Sequence, residues 1–279
     1  MSNLRQRILS ALVLAAVVLT LTWLGGVWFR LVAAVIGLAV MHEWLAMHRS
    51  RILPSVRLVA WAAMAGVAAA VMADVPAAWS GLFIGVAGVL LLALGILRGQ
   101  GGLAALGFVY AAIPALVLAK LRGDDAAGLT AMVFLFAVVW GTDIAAYFCG
   151  RALGGPKLAP SISPGKTVSG AIGGLAGGVA AGIGVIAAAS GAATGSATWL
   201  FPLLAFAMSV VSQAGDLFES AVKRKAGVKD SSHLIPGHGG VMDRVDALVI
   251  AAILLYLFGA VSGGADSPAA ALFPAFGWR

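Results

Sequence analysis

Residues 77–97 read AAWSGLFIGVAGVLLLALGIL, twenty-one positions without a charged side chain. At the rise of an α-helix such a segment measures about 30 Å, the thickness of the hydrocarbon core of a bilayer. Nothing in it alternates with the period of a half-buried strand, so its length and polarity predict a membrane-crossing helix. Working outward, eight more segments of this kind appear, at about 8–25, 28–47 and 58–75 before it and 102–120, 127–149, 169–191, 197–222 and 243–262 after it. The fold class read from the sequence is an all-α integral membrane protein, a polytopic bundle of about nine transmembrane helices. Composition agrees: 61% of the 279 residues are hydrophobic and 10% are charged. Soluble domains carry about 25% charged residues, so a water-soluble enzyme is excluded. The run from Ile8 to Leu24, preceded by Arg5 and Arg7, imitates a signal peptide. It is too long for one and leads into more membrane sequence, so it is expected to be a retained first helix. The single cysteine, Cys149, leaves helix packing rather than disulfides to hold the fold.

The charges test the helix count, because each helix added or lost inverts the sidedness of everything after it. The chain has 18 Lys and Arg against 11 Asp and Glu, a formal charge of +7. With nine crossings and a cytoplasmic N-terminus, fourteen basic residues fall inside: Arg5, Arg7, Arg49, Arg51, Arg57, Arg98, Arg151, Lys157, Lys166, Lys223, Arg224, Lys225, Lys229 and Arg244. Only Arg30, Lys120, Arg122 and Arg279 fall outside. That asymmetry is what the positive-inside rule expects, and it puts the C-terminus outside. The expected location is a bacterial inner membrane, with membrane lipids as neighbours. No basic stretch is interleaved with aromatics, so no nucleic-acid partner is expected. Polar sequence gathers in two inner loops, 150–168 and 223–242. The chain is accordingly read as N-terminal helices, 1–125, serving as scaffold and lipid access, and a catalytic region, 126–279.

The end of the eighth segment reads SVVSQAGDLFESAVKRK (209–225), which places Ser212, Asp216, Glu219, Ser220 and Lys223 on one helical face. There follows GVKDSSHLIPGHGG (227–240), whose Gly239 and Gly240 let backbone approach a ligand closely. Asp243 and Asp246 then open the ninth segment one turn apart, where a helix N-terminus tolerates negative charge. Hard oxygen donors without a Cys or His cluster favour Mg²⁺, which binds through one or two carboxylates plus substrate phosphate. Lys223, Arg224, Lys229 and Arg244 interleave with these acids, an arrangement suited to phosphoryl or nucleotidyl transfer. The plain alternative is a basic loop that binds lipid headgroups, its aspartates making salt bridges.

The segment Ser220 to Asp246, with Lys223-Arg224, Lys229-Asp230, Pro236-Gly-His238-Gly239-Gly240 and Asp243-Arg244-Val-Asp246, resembles the phosphatidate cytidylyltransferase signature. A second segment agrees, from Asp143-Ile-Ala-Ala-Tyr147 to Ser163-Pro164-Gly-Lys166-Thr167. The family continues there with Trp-Glu-Gly, where this chain has Val168-Ser169-Gly170, and no role is assigned to an acid at 169. The resemblance implies an integral membrane CDP-diacylglycerol synthase that condenses CTP with phosphatidic acid and releases pyrophosphate. It implies Asp216 and Asp243 as principal Mg²⁺ ligands, Asp246 as a third ligand or orienting residue, and a second cation as an open alternative. Lys223, Arg224, Lys229 and Arg244 would hold the phosphates. Asp143, inside a helix, goes to the metal or nucleotide region, with a helix-to-helix hydrogen bond as the structural alternative. Ser163, Lys166 and Thr167 form a second phosphate clamp, or the Ser-Pro pair simply turns the chain.

His238 is read as a donor to phosphate or a turn-stabilising contact. His42 and Glu43 are read as packing or lipid-access residues, and Glu219 as a partner for Lys223. Gly170, Gly174, Gly178 and Gly182 recur every four residues, a helix-packing stripe that brings the seventh helix against the catalytic helices or against a second subunit of a homodimer. The rival functions are a CTP-dependent isoprenoid alcohol kinase and an ion-coupled transporter. The tail after residue 262 is expected to do little.

Overall fold

The computed structural model describes residues 2–190 and 199–273; the side chains of residues 2–7 and 190, Arg5 and Arg7 among them, and Arg279 lie outside the described set. Among the described residues nine long helices run in chain order: α1 (Ser2–Leu24), α2 (Gly26–Met47), α3 (Pro54–Met72), α4 (Ala77–Leu97), α5 (Leu103–Arg122), α6 (Ala126–Leu153), α7 (Val168–Ser190), α8 (Leu200–Ala226) and α9 (Met242–Gly263). Eight of them, α2 to α9, are long and apolar enough to cross a bilayer, and α1 adds the shorter apolar run Ile8–Leu24. The chain is a multi-pass all-α membrane protein.

The boundaries move where local chemistry overrides hydropathy. α3 starts at Pro54, which suits a first helical position because it has no N–H to leave unpaired, and so takes in Arg57. α8 runs through Ala226, putting Lys223, Arg224 and Lys225 in its last turn, where cations complement the terminal carbonyls, rather than in the loop. Its expected start at 197 lies outside the described residues. Between α6 and α7 the chain forms a hairpin that hydropathy does not foresee: β1 (Lys157–Ala159) pairs antiparallel with β2 (Ser163–Thr167), Lys157 opposite Thr167 and Ala159 opposite Ser163. A short helix α10 (Pro268–Leu272) leads to Phe273, fully buried in an aromatic cluster with Phe134 and Phe201 at centroid separations of 5.7 and 5.5 Å.

The chain divides into two compact units, Met1–Lys120 with Ala226–Arg244, and Leu121–Lys225 with Val245–Arg279. In the first, α1 packs on α2, α2 on α3 and α3 on α4. α5 is the most buried of the membrane-crossing helices. It closes on α2 where Trp44 fills the space beside Gly107, its Nε1 donating to Leu103 O at 3.0 Å. Leu82, Val89, Leu90 and Leu97 of α4 stay exposed, the face a bilayer would cover. Arg30 and Lys120, from the start of α2 and the end of α5, both pair with Asp74 of the α3–α4 turn, at 3.2 and 2.9 Å. These three residues are assigned to one side of the membrane by the charge count, and they meet at one end of the unit.

In the second unit the glycine stripe is an α6 contact. A Cβ on Gly174 would meet Thr142 O at 3.0 Å, and one on Gly170 would meet Ala146 O at 2.9 Å. A Cβ on Gly182 would lie 2.9 Å from Ala205 of α8. The stripe packs against this chain's own α6 and α8, the contact with neighbouring helices that the spacing predicts. At Gly178 a Cβ would run into Thr142 Oγ1, which is hydrogen-bonded to Ser209 Oγ at 2.7 Å in the buried seam. Gly178→Val is therefore expected to destabilise the protein by at least about 2 kcal/mol through overpacking. A fall in thermal midpoint of the detergent-extracted protein checks this; an unchanged midpoint would mean that α6 and α7 do not pack there.

Candidate active site

Each unit carries a polar centre. In the second, a cavity of about 700 Å³ opens between the C-terminal third of α6, the hairpin, the start of α7 and the middle of α8. Asp143, Tyr147, Arg151, Lys157, Lys166, Thr167, Gln213 and Asp216 are among its lining residues. Asp143, about two-thirds of the way along α6, is exposed to the cavity. Lys166 and Asp216 form an ion pair, with side-chain exposures of 28% and 31%. That leaves both within reach of a ligand. Ser220 Oγ donates to Asp216 Oδ1 at 3.3 Å, and Arg151 donates to Tyr147 Oη at 3.0 Å.

The hairpin ends by making the cap of α7. Thr167 Oγ1 accepts from Gly170 N at 3.1 Å, the side-chain cap that a first turn needs. Ser169 donates to Gly154 O and contacts Thr167 Oγ1 at 3.1 Å, so the residue standing where the family has an acid ties the two ends of the hairpin segment together. Gly150 and Gly170 allow this closure: a Cβ on Gly150 would lie 2.8 Å from Thr167 Oγ1 and 3.3 Å from the Gly170 Cα. The cavity wall therefore combines the positive end of α7 with Arg151, Lys157 and Lys166, against two carboxylates. Ser163 lies in β2 and is not among the lining residues. Asp246 lies close enough to Asp216, Lys223 and Asp143 to feel their charge. Lys223 pairs with Glu219 at 2.7 Å, and Arg224 Nε donates to Ile162 O at 3.4 Å. Both cations expected on phosphate thus brace the scaffold here.

The first unit holds the loop between α8 and α9. Ile235 N donates to Gly239 O at 2.8 Å and His238 N to Ile235 O at 2.9 Å, a tight turn with Gly237 and Gly239 at φ 78° and 84°. Only glycine adopts that backbone at no steric cost. Arg244 donates from Nε and Nη2 to His238 O, at 3.1 and 2.8 Å. Ser10 of α1 donates to Pro236 O at 3.1 Å and lies 2.9 Å from His238 Nδ1, a pair of contacts that ties the turn to the first helix. Asp243 accepts from Ser231 N at both oxygens, 3.2 and 3.0 Å, and at Oδ2 from Ser231 Oγ at 3.0 Å and Gly240 N at 2.8 Å. Its carboxylate organises the loop. Lys229 is exposed where the loop begins.

One residue of this centre is absent from the sequence-level site. Glu43 of α2 is fully buried and accepts four hydrogen bonds from the loop: Ser232 Oγ at 2.6 Å, Val241 N at 2.7 Å, Met242 N at 2.7 Å and Ser231 Oγ at 3.0 Å. The signal that could have found it is the acid itself, since a carboxylate inside an apolar helix is a functional candidate by default.

The donor chemistry is compatible with Mg²⁺. Asp143 and Asp216 bring hard oxygens to one cavity. Among the described residues no three His, Cys, Asp or Glu side chains converge as a ready-made cage. An ion that takes one or two carboxylates and completes its shell with phosphate and water needs none.

Comparison with known proteins follows the same line. Residues 5–262 match the model of the Cytidylyltransferase family. A phosphatidate cytidylyltransferase of Brucella suis biovar 1 (strain 1330) is 51% identical over 273 residues, 98% of this chain and 99% of the relative. One of Brucella abortus biovar 1 (strain 9-941) is 50% identical over the same length. A phosphatidate cytidylyltransferase of Pseudomonas aeruginosa is 53% identical over 121 residues, 43% of this chain and 44% of the relative. With nearly the whole chain matched and half its residues shared with full-length relatives, this protein belongs to the Cytidylyltransferase family.

Proposed function

We propose that the protein transfers the cytidylyl group of CTP to phosphatidic acid, forming CDP-diacylglycerol and pyrophosphate. The observation that carries the reading is the cavity of the second unit, in which three cations and a helix N-terminus surround two carboxylates, in a chain of this family. A phosphatidate oxygen bonds to the α-phosphorus of CTP, the bond from that phosphorus to the α,β-bridging oxygen breaks, and pyrophosphate leaves with the electron pair. Phosphatidate is already ionised at neutral pH, so no general base is needed. The main obstacle is repulsion between two polyanions, and fixed positive charge in a partly closed cavity lowers it.

Lys166 and the α7 N-terminus hold nucleotide phosphate, Arg151 and Lys157 widen the cationic wall, and Thr167 keeps the helix end in place. When bound, Mg²⁺ supplies charge neutralisation and polarises the phosphate; Asp143 and Asp216 would hold it, with Asp246 supporting them. Lys229, Gly239 and Gly240 are assigned to substrate on the signature alone. We place the reaction on the cytoplasmic face of a bacterial inner membrane, supported by the fourteen-to-four distribution of basic residues.

Purified full-length protein incubated with Mg²⁺, phosphatidate and CTP labelled at the α-phosphate is expected to yield labelled lipid and unlabelled pyrophosphate. Label appearing in lipid from the γ-phosphate instead would indicate a kinase and overturn the proposal.

A further inference from the structure

We propose that Glu43 is a positioning residue for this reaction, fixing from the second helix the shape of the loop between α8 and α9. The inference rests on the transferase reading for its kinetic part. Its four hydrogen bonds come from the two ends of one short segment: Ser231 and Ser232 at the start, Val241 and Met242 at the finish. The last two are backbone N–H groups at the opening of α9, which no residue of that helix can satisfy. Glu43 acts as their cap from a distant part of the chain. One carboxylate thus draws both ends of the loop together, with the turn Pro236–Gly240 between them.

The contact continues to Asp243. Ser231 Oγ lies 3.0 Å from Glu43 Oε2 and 3.0 Å from Asp243 Oδ2, and the Ser231 N–H donates to Asp243 as well. A hydroxyl has one proton, so Ser231 is held between two acceptors, and its position fixes both. Gly240 seals the arrangement: a Cβ there would lie 2.5 Å from Glu43 Oε1 and would run into Ser231 Oγ. Of its four donor residues only Met242, the first residue of α9, belongs to a helix; the other three lie in the loop. Its removal should therefore loosen the loop and leave the helices as they are.

The test compares wild type with Glu43→Gln, Glu43→Asp and Ser232→Ala in the full-length protein, by amide hydrogen exchange and by steady-state kinetics. In Glu43→Gln the amide group turns a donor toward N–H groups that need an acceptor. Exchange across 231–243 is expected to rise at least about tenfold. Exchange in α2, α5 and α6 and the thermal midpoint should stay at wild-type values. kcat should fall about a hundredfold, the scale of a small misplacement of reacting groups, with a smaller change in KM for CTP. Glu43→Asp, with its carboxylate kept but shortened, should recover part of kcat, and Ser232→Ala, which loses one donor of four, should cost only a few-fold. Wild-type exchange over 231–243 in Glu43→Gln overturns the proposal. So does exchange that rises throughout the helices with no recovery in Glu43→Asp, which would make Glu43 a folding residue. Wild-type protein that forms no labelled lipid would refute the transferase reading instead, and the exchange comparison would still decide whether Glu43 holds the loop.

Discussion

Asp216→Asn is expected to lower kcat for labelled-lipid formation by about a thousandfold or more, the range seen when a charged group that stabilises a transition state is removed. Asp216 shares its cavity with Asp143, Lys166 and the N-terminus of α7, and its carboxylate is the partner of Lys166. The amide keeps the shape of the side chain but leaves Lys166 without its counter-charge and offers a cation one weak oxygen in place of an anion. Stability should hardly move, because both side chains of the pair are about 30% exposed and exposed pairs contribute at most about 1 kcal/mol. The measurement is kcat against thermal midpoint for the same preparation. Activity within tenfold of wild type would remove Asp216 from the reacting centre. Asp243→Asn would be a poorer test, because Asp243 accepts from Ser231 and Gly240 and its change alters the loop as well as any chemistry.

The second large effect is expected at Gly240. A methyl group there collides with Ser231 Oγ and comes within 2.5 Å of Glu43 Oε1, both held by short hydrogen bonds in a buried centre. Neither neighbour is the free end of a flexible side chain, so the backbone of 239–242 has to move and Asp243 Oδ2 loses the Gly240 N–H at 2.8 Å. Gly240→Ala should therefore abolish at least about 99% of turnover, again on the scale of misplaced reacting groups. Exchange should rise in 231–243. Gly184→Ala is the control, because a Cβ at Gly184, on an exposed face of α7, meets nothing within 4 Å. Equal activity in the two variants would contradict the packing described for Gly240.

How much of this was legible beforehand follows from range. Helices of twenty apolar residues announce themselves, since length and polarity are properties of a local window. The stripe Gly170, Gly174, Gly178 and Gly182 was readable as packing for the same reason, although its partner, α6, was not. The hairpin was hidden because Ser163-Pro164-Gly165-Lys166-Thr167 has no strand-like alternation; it is a strand only because the segment closes on Lys157. The site residues named from the signature split by what they touch. Lys166, Thr167, Asp143 and Asp216 meet in one cavity. Lys223, Arg224, His238 and Arg244 are charged or polar in a pattern that fits phosphate, yet each has an acceptor or partner within the fold that residue type could not reveal. Glu43 is the extreme case, because its donors lie nearly two hundred positions along the chain.

The most direct measurement is an experimental structure of the full-length protein with CTP and Mg²⁺. Triphosphate density is expected in the cavity lined by Asp143, Lys166, Thr167 and Asp216, with Lys166 drawn from Asp216 toward phosphate. A nucleotide bound with its phosphates away from all four of these residues would contradict the assignment of this cavity as the reacting centre.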